Sequence, residues 1–377
     1  MSFHYIDSEG DAERLSQALD SDQPFALDCE AAGFHRYSDR LCLVQVTTAT
    51  GEDFILDALA FDVGSVLRGP LEEPSLPVLM HGADYDLRLL DRDLGISLKG
   101  LVDTQVAASL LGESALGLAA LLEKHLDVRL AKKYQRADWA KRPLPEDMLD
   151  YAANDTRYLH ELVDRLHDAL DSTGRTAWAR EEYRTLEAVR WEDSADEDPV
   201  SRVKAARDLT PRQVAMLREA LLWRDDIARD QDRAPFRVAS DQVLVEVVMS
   251  RPGSTAELAR TKGMNDRLAR EHGGDLLARL QRVDDIADAD VVGLPRRPRG
   301  VGRPAPEVEE LAERLKRVRN QRAADLGIDR GTLLPNASLV EIARAAPRSA
   351  DDLSSVAGLR QWQLEVVGPG LLEVLGA

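Results

Sequence analysis

Four carboxylates and one phenol are the side chains whose types and spacing best suit chemistry in this sequence. Asp28 and Glu30 lie in the run F-A-L-D-C-E, Asp86 lies in H-G-A-D-Y-D-L, and Tyr151 and Asp155 lie in Y-A-A-N-D. Residues two apart on a strand point to one face, as do residues four apart on a helix. With the first pair on a strand and the last pair on a helix, the five side chains can form one carboxylate cluster with a phenol beside it.

Such a cluster is an expected site for divalent cations. Gathered carboxylates raise one another's pKa, and hard cations that prefer oxygen ligands, such as Mg²⁺ or Mn²⁺, relieve the repulsion. Two such ions roughly 3.5–4 Å apart form the clamp used for in-line phosphoryl displacement. The pattern therefore predicts two divalent cations, with Asp28 as the best candidate to bridge them and Tyr151 placed to hydrogen-bond the attacking water. The histidines at 81, 125 and 160 lack metal-ligand spacing, which disfavours a zinc hydrolase.

Each piece of this pattern also has an ordinary structural interpretation. A lone D-x-E is most often a solvated strand edge, and a tyrosine and an aspartate four apart are most often a surface pair on a helix. Asp86 suits the first turn of a helix, where carboxylates cap the backbone. It is the combined order and spacing that favour a functional site.

Composition sets the protein class. Of 377 residues, 44% are hydrophobic and 31% charged, as in ordinary globular proteins. No run approaches 18 apolar residues, so no membrane span is expected, and the N-terminus does not have the pattern of a signal peptide. Cys29 and Cys42 lie in apolar runs and are expected to be buried, reduced thiols in a cytoplasmic protein.

The net charge of −18 argues against a generic nucleic-acid binder. The charges are unevenly spread, however: acidic residues concentrate at 191–198, and basic residues concentrate at 129–142 and 295–304. A local path for phosphates is therefore compatible with an acidic molecule.

Residues 1–190 alternate between the patterns of strands and helices. Strands are predicted at 24–29, 41–48, 54–56, 77–80 and 101–102, with a hairpin turn before the third. Helices are predicted at 84–94 and 116–126, and one apolar stripe runs from a helix start at Pro143 and Pro145 to Leu166. We expect a mixed α/β domain with an antiparallel front and a parallel back.

The strand signal vanishes after an acidic linker at 191–207. Residues 208–290 and 305–377 are predicted to be all-helical domains, separated by a proline- and arginine-rich linker at 291–304. The two segments match at a constant offset of 95, as in Arg224 with Arg319, Leu244 with Leu339 and Gly263 with Gly358. This register, which holds without gaps, indicates a duplicated domain.

Longer sequence words add a resemblance. Residues 20–165 resemble the exonuclease domain of the DEDD superfamily, tyrosine subclass, through H-G-A-D-Y-D-L-R-L-L, G-L-V-D-T at 100–104 and Q-R-A-D-W-A-K-R-P-L at 135–144, followed by Y-A-A-N-D. The two helical repeats resemble HRDC domains. This combination is characteristic of the ribonuclease D family and its eukaryotic exosome relative.

The resemblance implies a fold, an activity and a set of site residues. The fold is an RNase H-like exonuclease domain, a mixed sheet flanked by helices, followed by two HRDC domains. The activity is metal-dependent hydrolysis from the 3′ end, trimming RNAs such as tRNA precursors and releasing nucleoside 5′-monophosphates. The metal ligands are Asp28, Glu30, Asp86 and Asp155, the catalytic tyrosine is Tyr151, and Asp86 is preferred over Asp84 because the acid directly precedes the leucine that opens the helix. Ala31 and Ala32 depart from the bulkier side chains of many relatives.

The basic loop before Tyr151 is the predicted RNA contact. Lys132, Lys133, Arg136, Lys141 and Arg142 lie beside Tyr134 and Trp139, a composition that suits a single-stranded 3′ end. The alternative is a solvated loop with Trp139 in the core. The helical repeats are candidates for binding duplex RNA through Arg224, Arg319 and Arg322, or for shaping a channel around the active site. No obligate protein partner is implied.

Two other functions remain open at the level of sequence. A DNA 3′-5′ exonuclease would use the same two-metal site, since contacts to the 2′-hydroxyl leave no signature here. A non-catalytic RNA-binding scaffold would have the same fold, although it has no need to retain carboxylates that repel one another.

Overall fold

The computed structural model describes residues 3–19, 23–131, 133–193, 197–295, 304–356 and 358–376. Lys132 of the predicted RNA contact lies outside these residues. So does most of the predicted proline- and arginine-rich linker, residues 296–303.

Within the described residues, six strands form one mixed sheet in the order β1-β4-β3-β2-β5-β6. The strands are β1 Phe3–Ile6, β2 Phe25–Ala31, β3 Leu41–Thr48, β4 Asp53–Asp57, β5 Val78–Met80 and β6 Leu101–Asp103. Strands β2, β3 and β4 are antiparallel, whereas β5 and β6 continue from β2 in parallel. This confirms the predicted mixed α/β domain. Strand β1, parallel to β4, was not predicted because only Ile6 of its four residues is fully buried.

Helices cover both faces of the sheet. They are α1 Glu13–Leu19, α2 Gly64–Glu72, α3 Asp84–Leu89, α4 Thr104–Leu110, α5 Leu118–Leu126, α6 Glu146–Arg157, α7 Leu159–Ser172 and α8 Thr176–Leu186, and α3 continues as a π-helical turn, Leu90–Leu94. Helices α1 to α3 pack on one face and α4 to α8 on the other. The single apolar stripe predicted up to Leu166 was wrong as one helix, since the backbone breaks at Tyr158 (φ −104°, ψ 3°) between α6 and α7.

The remaining helices form two domains of the same design. The first contains α9 Pro211–Asp230, α10 Pro235–Val238, α11 Asp241–Ser250, α12 Thr255–Leu258 and α13 Asp266–Asp284, and the second contains α14 Pro306–Leu326, α15 Arg330–Leu333, α16 Asn336–Ala345, α17 Ala350–Ser354 and α18 Gln361–Leu375. Every helix of the second domain begins 95 residues after its counterpart. Even the left-handed residues that end α11 and α16, Arg251 and Ala346, keep this offset. The predicted duplication is therefore confirmed in three dimensions.

Part of the predicted acidic linker is folded against the first helical domain. Short 3₁₀ turns at Pro199–Arg202 and Lys204–Asp208 bury Val200, Val203 and Ala206 in the core of that domain. Asp198, one of the acidic residues that suggested a solvated linker, accepts a salt bridge of 2.8 Å from Arg218. Val200, Val203 and Ala206 lie three residues apart, and this spacing was the sequence pattern that indicated the turns.

Each helical domain contacts the α/β domain at a different place. The first meets the loop after β2, where Ala234 N–H donates to the His35 carbonyl at 3.0 Å. The second meets α8, where the indole rings of Trp178 and Trp362 stack with centroids 4.7 Å apart. Across the described part of the chain, the helices are too short or too polar to span a bilayer.

Candidate active site

The first two carboxylates are placed by the alternation of strand β2. Phe25, Leu27 and Cys29 of this strand enter one hydrophobic cluster, so Asp28 and Glu30 lie on the opposite face. That opposite face is the one covered by α6. The predicted shared face of the D-x-E pair is therefore present beneath a helix rather than at a solvated strand edge.

Helix α6, which carries Tyr151 and Asp155, is fixed to the sheet by polar contacts of the two residues that follow Asp155. The Thr156 hydroxyl lies 2.8 Å from the Thr47 hydroxyl of β3. Arg157 forms a salt bridge of 2.6 Å with Asp53 at the start of β4. Because these buried anchors directly follow Asp155, they hold its carboxylate against β2.

Asp86 is placed by the turn between β5 and α3. The backbone N–H of Ala83 donates to the Asp103 carboxylate at 2.8 Å, and the same carboxylate caps α4. His81 Nδ1 lies 2.9 Å from the Thr104 hydroxyl, so this histidine at the end of β5 has a hydrogen-bond partner. The sequence word G-L-V-D-T therefore acts structurally, by tying the turn that presents Asp86 to the neighbouring strand.

The two aspartates at the start of α3 have different surroundings. Asp86 is 7% exposed and faces the site. Asp84 is exposed and forms an ion pair of 3.0 Å with Arg88 one turn later. This contrast supports the choice of Asp86 over Asp84.

The structure brings three of the four predicted carboxylates together. One oxygen each from Asp28, Glu30 and Asp155 lies within 4.8 Å of the others. Burial raises the pKa of Asp28 to about 7 and, together with the charge of Asp28, raises the pKa of Asp155 to about 8. Burial and the charges of their neighbours also raise the pKa values of Glu30 and Asp86 well above the usual range, with Asp28 the largest charge acting on each.

This donor set fits a divalent cation. All its atoms are carboxylate oxygens, the ligands preferred by Mg²⁺ and Mn²⁺, and their raised pKa values show that charge on the cluster lacks compensation from the protein. Asp28, Glu30, Asp86 and Asp155 are the residues that would hold such ions.

Tyr151 lies beside the cluster in a partly apolar setting. Its ring is 5.9 Å from that of Tyr134 and 6.3 Å from that of Trp139. Burial, followed by the charges of Asp155 and Glu30, raises the pKa of its phenol above the ordinary value. The side chain therefore stays a neutral phenol with a hydroxyl proton to donate. A cavity of about 290 Å³ opens beside Tyr151 and Asp155, lined also by Tyr134 and Asn154.

Gln45 is a residue on this face that sequence reasoning missed. It lies directly opposite Asp28 in the β2–β3 register and is fully buried. Neither its amide oxygen nor its amide nitrogen has a hydrogen-bond partner among the described residues. A polar residue inside the apolar run L-C-L-V-Q-V was the available signal, since a buried amide is costly unless it has a partner.

The predicted RNA-contact residues differ in their availability. Arg136 and Lys141 are exposed. Lys133 is exposed but pairs with Asp147 at 2.8 Å. Arg142 is a correction, because its guanidinium donates to the buried Asp57 carboxylate at 2.5 and 2.6 Å and so belongs to the structure of the loop. Trp139 is buried, as the structural alternative predicted.

Two arginines of the helical repeats are also corrections. Arg319 is only 3% exposed and donates to the Arg330 carbonyl at 3.0 Å. Arg224 donates to the Ala239 carbonyl at 3.0 Å and pairs with Asp241. Both guanidinium groups hold their own domain together and are not free for RNA. Arg322 remains on the surface, with one bond of 3.2 Å to the Val366 carbonyl.

Comparisons with known proteins agree with this architecture. The 3′-5′ exonuclease family matches residues 3–171, and the HRDC domain family matches residues 213–280 and 308–375. Ribonuclease D of Pseudomonas paraeruginosa is 31% identical to the chain, over 94% of the chain and 92% of that protein. The exosome complex exonuclease RRP6 of Saccharomyces cerevisiae is 30% identical over 74% of the chain, which spans only 40% of that longer protein.

A solved structure matches the whole chain. The crystal structure of Escherichia coli RNase D covers 100% of the chain and 99% of its own length, with 25% sequence identity and a TM-score of 0.71. The exonuclease domain and the two following repeats thus occur together in proteins of one kind. The chain belongs to the ribonuclease D family of 3′-5′ exonucleases.

Proposed function

We propose that this chain is a hydrolytic 3′-5′ exoribonuclease that uses two divalent cations and releases nucleoside 5′-monophosphates. The observation that carries the proposal is the convergence of Asp28, Glu30 and Asp155 within 4.8 Å, with Asp86 close enough for its charge and that of Asp28 to act on each other. Such a site suits phosphoryl transfer because its oxygen ligands, with cations bound, can receive an anionic phosphodiester. The ribonuclease D relatives support RNA as the substrate.

Divalent cations held by the four carboxylates would activate a water and stabilise the charge on the departing 3′ oxygen. The protein's own contribution is position. Strand β2 and the anchored helix α6 hold Asp28, Glu30 and Asp155 in place, so little reorganisation is needed when substrate binds.

Tyr151 contributes an orienting hydroxyl. Its phenol remains protonated beside the carboxylates, so it can hydrogen-bond the attacking water or a phosphate oxygen. The cavity beside it places exposed Lys133 and the ring of Tyr134 around the position where a terminal nucleotide would lie. Loss of the hydroxyl should therefore lower the rate of cleavage more than it weakens RNA binding.

The substrate we propose is RNA with a single-stranded 3′ end, such as a tRNA precursor in the cytoplasm. RNase D of Escherichia coli is an exoribonuclease involved in structured RNA processing, and the similarity of the two folds supports trimming of tails next to folded RNA. Matched RNA and DNA oligonucleotides, in competition, test the preference for ribose.

The decisive experiment compares neighbouring aspartates. Wild type, Asp86→Asn and Asp84→Asn are incubated with a 5′-labelled RNA carrying a single-stranded 3′ tail, in Mg²⁺, in Mn²⁺ and in EDTA. We expect wild type and Asp84→Asn to give a ladder shortening from the 3′ end with either metal and none in EDTA. Asp86→Asn should be slower by about 10³-fold or more, because a lost metal ligand removes several kcal/mol of transition-state stabilisation.

The exposed Asp84–Arg88 pair makes Asp84→Asn a matched control, since such pairs contribute little to stability. RNA binding in EDTA should be similar in all three proteins. Loss of activity in Asp84→Asn but not in Asp86→Asn would reverse the ligand assignment. No ladder from wild type with either metal would refute the proposed function.

A further inference from the structure

A line of aromatic rings and guanidinium groups leads from the active site to the first helical domain. The ring of Tyr151 contacts that of Tyr134 at 5.9 Å. In the same loop as Tyr134, the guanidinium of Arg136 lies 5.6 Å from the ring of Phe34. Phe34 in turn contacts Phe236 of α10, with ring centroids 5.4 Å apart. The line therefore crosses from the exonuclease domain to the first helical domain.

The two phenylalanines at its far end are unusually exposed. Phe34 is 38% exposed and Phe236 is 50% exposed. The contact between the two domains brings these rings together without burying them. Arg237 lies beside both, with its guanidinium 4.8 Å from the first ring and 5.9 Å from the second. Exposed aromatic rings beside cationic side chains are the features with which proteins bind single-stranded nucleic acid.

Hydrogen bonds from side chains to backbone carbonyls fix these residues relative to one another. Arg237 Nε donates to the Phe34 carbonyl at 2.7 Å, and His35 Nε2 donates to the Arg136 carbonyl at 2.8 Å. Three separate segments of the chain, the loop after β2, the basic loop and α10, are thereby joined into one surface. A prearranged surface loses less conformational entropy when it binds a flexible strand.

The loop after β2 is also joined to the turn that carries Asp86. Asp39 accepts from the Gly33 N–H at 2.7 Å and from the hydroxyl of Tyr85, the residue before Asp86. Phe34 is itself only four residues after Glu30. The aromatic line is therefore continuous with the metal-binding elements.

A cavity of about 700 Å³ extends the line into the first helical domain. Phe236 and Arg237 form one part of its wall, and Arg233, Arg267 and His272 form another. Glu271 also lines this cavity and pairs with Arg267 at 2.8 Å. Arg233 and Arg237 are therefore the cationic groups best placed to meet phosphates beyond the stacked rings.

We propose that Tyr134, Arg136, Phe34, Phe236 and Arg237 form a stacking surface for the bases of single-stranded RNA upstream of the nucleotide being removed. The inference rests on the proposed exoribonuclease function and specifies how its substrate reaches the site. In this arrangement the 3′ end lies at the carboxylates, and the preceding nucleotides stack along the surface toward the first helical domain. The acidic net charge is no obstacle, since stacking and a few arginines supply the binding locally.

The test uses Phe236→Ala, with Met249→Ala as its matched control. Met249 is 59% exposed in the same helical domain and does not belong to the stacking surface. Binding of a single-stranded RNA of about ten nucleotides, longer than the active site alone accommodates, is measured in EDTA by fluorescence anisotropy. Phe236→Ala should weaken binding about fivefold or more, as expected for one lost stacking contact, Phe236→Trp should restore it, and Met249→Ala should bind like wild type.

A second readout reports stacking directly. An RNA carrying 2-aminopurine a few nucleotides before its 3′ end should lose fluorescence on binding wild type and lose less on binding Phe236→Ala. Arg233→Gln should reduce the log–log salt slope of binding by about one, because it removes one cation placed to meet a phosphate. The loss of affinity in Phe236→Ala should also be greater for the long RNA than for a trinucleotide.

The outcomes separate this inference from the proposed function. Cleavage by wild type combined with unchanged RNA affinity and unchanged 2-aminopurine fluorescence in Phe236→Ala would overturn the stacking surface and leave the enzyme assignment intact. A change in oligomeric state in Phe236→Ala, seen by sedimentation without a change in RNA affinity, would overturn it too, by making the rings a contact between copies. Absence of cleavage by wild type would instead refute the proposed function.

Discussion

At the scale of single residues, the buried carboxylates that can bind metal destabilise the metal-free protein when they are charged. Asp28 and Asp155 have pKa values raised to about 7 and about 8, mainly because burial disfavours their charged forms. Without a cation, the folded protein therefore tends to hold protons at these positions. A bound divalent ion replaces the protons, so metal affinity and pH are linked.

This linkage predicts how the stability of the metal-free protein depends on pH. Unfolded aspartates titrate near pH 4, so between about pH 4 and pH 8 the folded state binds more protons than the unfolded state. The free energy of unfolding contributed by these groups is fully present below about pH 4 and is lost as pH rises toward 8. Denaturation in EDTA should show stability falling from pH 5.5 to pH 8, and Asp28→Asn should flatten the slope.

Mg²⁺ should reverse this trend, because deprotonated carboxylates bind it and binding stabilises the folded state. The stabilisation by a given Mg²⁺ concentration should therefore increase with pH. If stability in EDTA fell equally with pH in wild type and in Asp28→Asn, groups other than Asp28 would cause the pH dependence.

At the scale of elements, the two helical domains repeat a buried arginine contact as well as a helix order. Arg319 of α14 donates to Asn336 at 2.8 Å and to the carbonyl of Leu334, and Arg224 of α9 contacts the equivalent positions, Asp241 and the carbonyl of Ala239. In each domain the arginine ties the long first helix to the start of the third helix. This explains why arginine occurs at both positions of the repeat.

Arg319→Leu should therefore destabilise the second helical domain by about 2–4 kcal/mol, since it leaves buried carbonyl groups without their charged donor. Arg322→Leu is the control on the same helix, because this arginine makes one longer bond at the surface, and it should cost less than about 1 kcal/mol. Chemical denaturation of both variants checks the difference. Equal losses of unfolding free energy in the two variants would contradict a specific stabilising role for the buried Arg319.

At the scale of the whole molecule, both helical domains are docked on the exonuclease domain. The second domain approaches so closely that a Cβ added to Gly112, between α4 and α5, would lie 1.8 Å from the carbonyl oxygen of Gly327. Glu181 of α8 also accepts from the backbone N–H groups of Gln361 and Trp362, at 2.6 and 3.0 Å, and so caps α18. The docking thus depends on backbone contact as well as side-chain packing.

Gly112→Ala should release the second helical domain, because the added methyl group overlaps backbone that cannot move aside alone. Gly174→Ala is the matched control: both glycines have positive φ, +81° and +69°, but a Cβ at Gly174 meets open space. Both variants carry a backbone cost of about 1 kcal/mol, and only the first disturbs docking. Small-angle scattering should show a larger radius of gyration for Gly112→Ala alone, and equal radii would contradict this account.

Much of the fold followed from local pattern. Strands β2 to β6 were predicted because their apolar runs are buried, and the duplicated domain was predicted because its register carries the helix caps and turns at a constant offset. Strand β1 was missed because only Ile6 of its four residues is fully buried, and the break at Tyr158 was missed because the apolar stripe continues across it. The 3₁₀ turns before α9 were missed because the acidic residues at 191–198 indicated a solvated linker, whereas Val200, Val203 and Ala206 are buried.

The sequence by itself determined which residues could do the chemistry, since strand and helix periodicity place Asp28 with Glu30 and Tyr151 with Asp155. Only the tertiary structure decided how they meet, how deeply they are buried and which charges are free. It showed the burial of Asp86 that supports its choice over Asp84, removed Arg142, Arg224 and Arg319 from the candidate RNA contacts and placed Phe236 beside Phe34. The physical reason is that periodicity is a local property of the backbone, whereas desolvation, ion pairing and contacts between domains depend on residues distant in sequence.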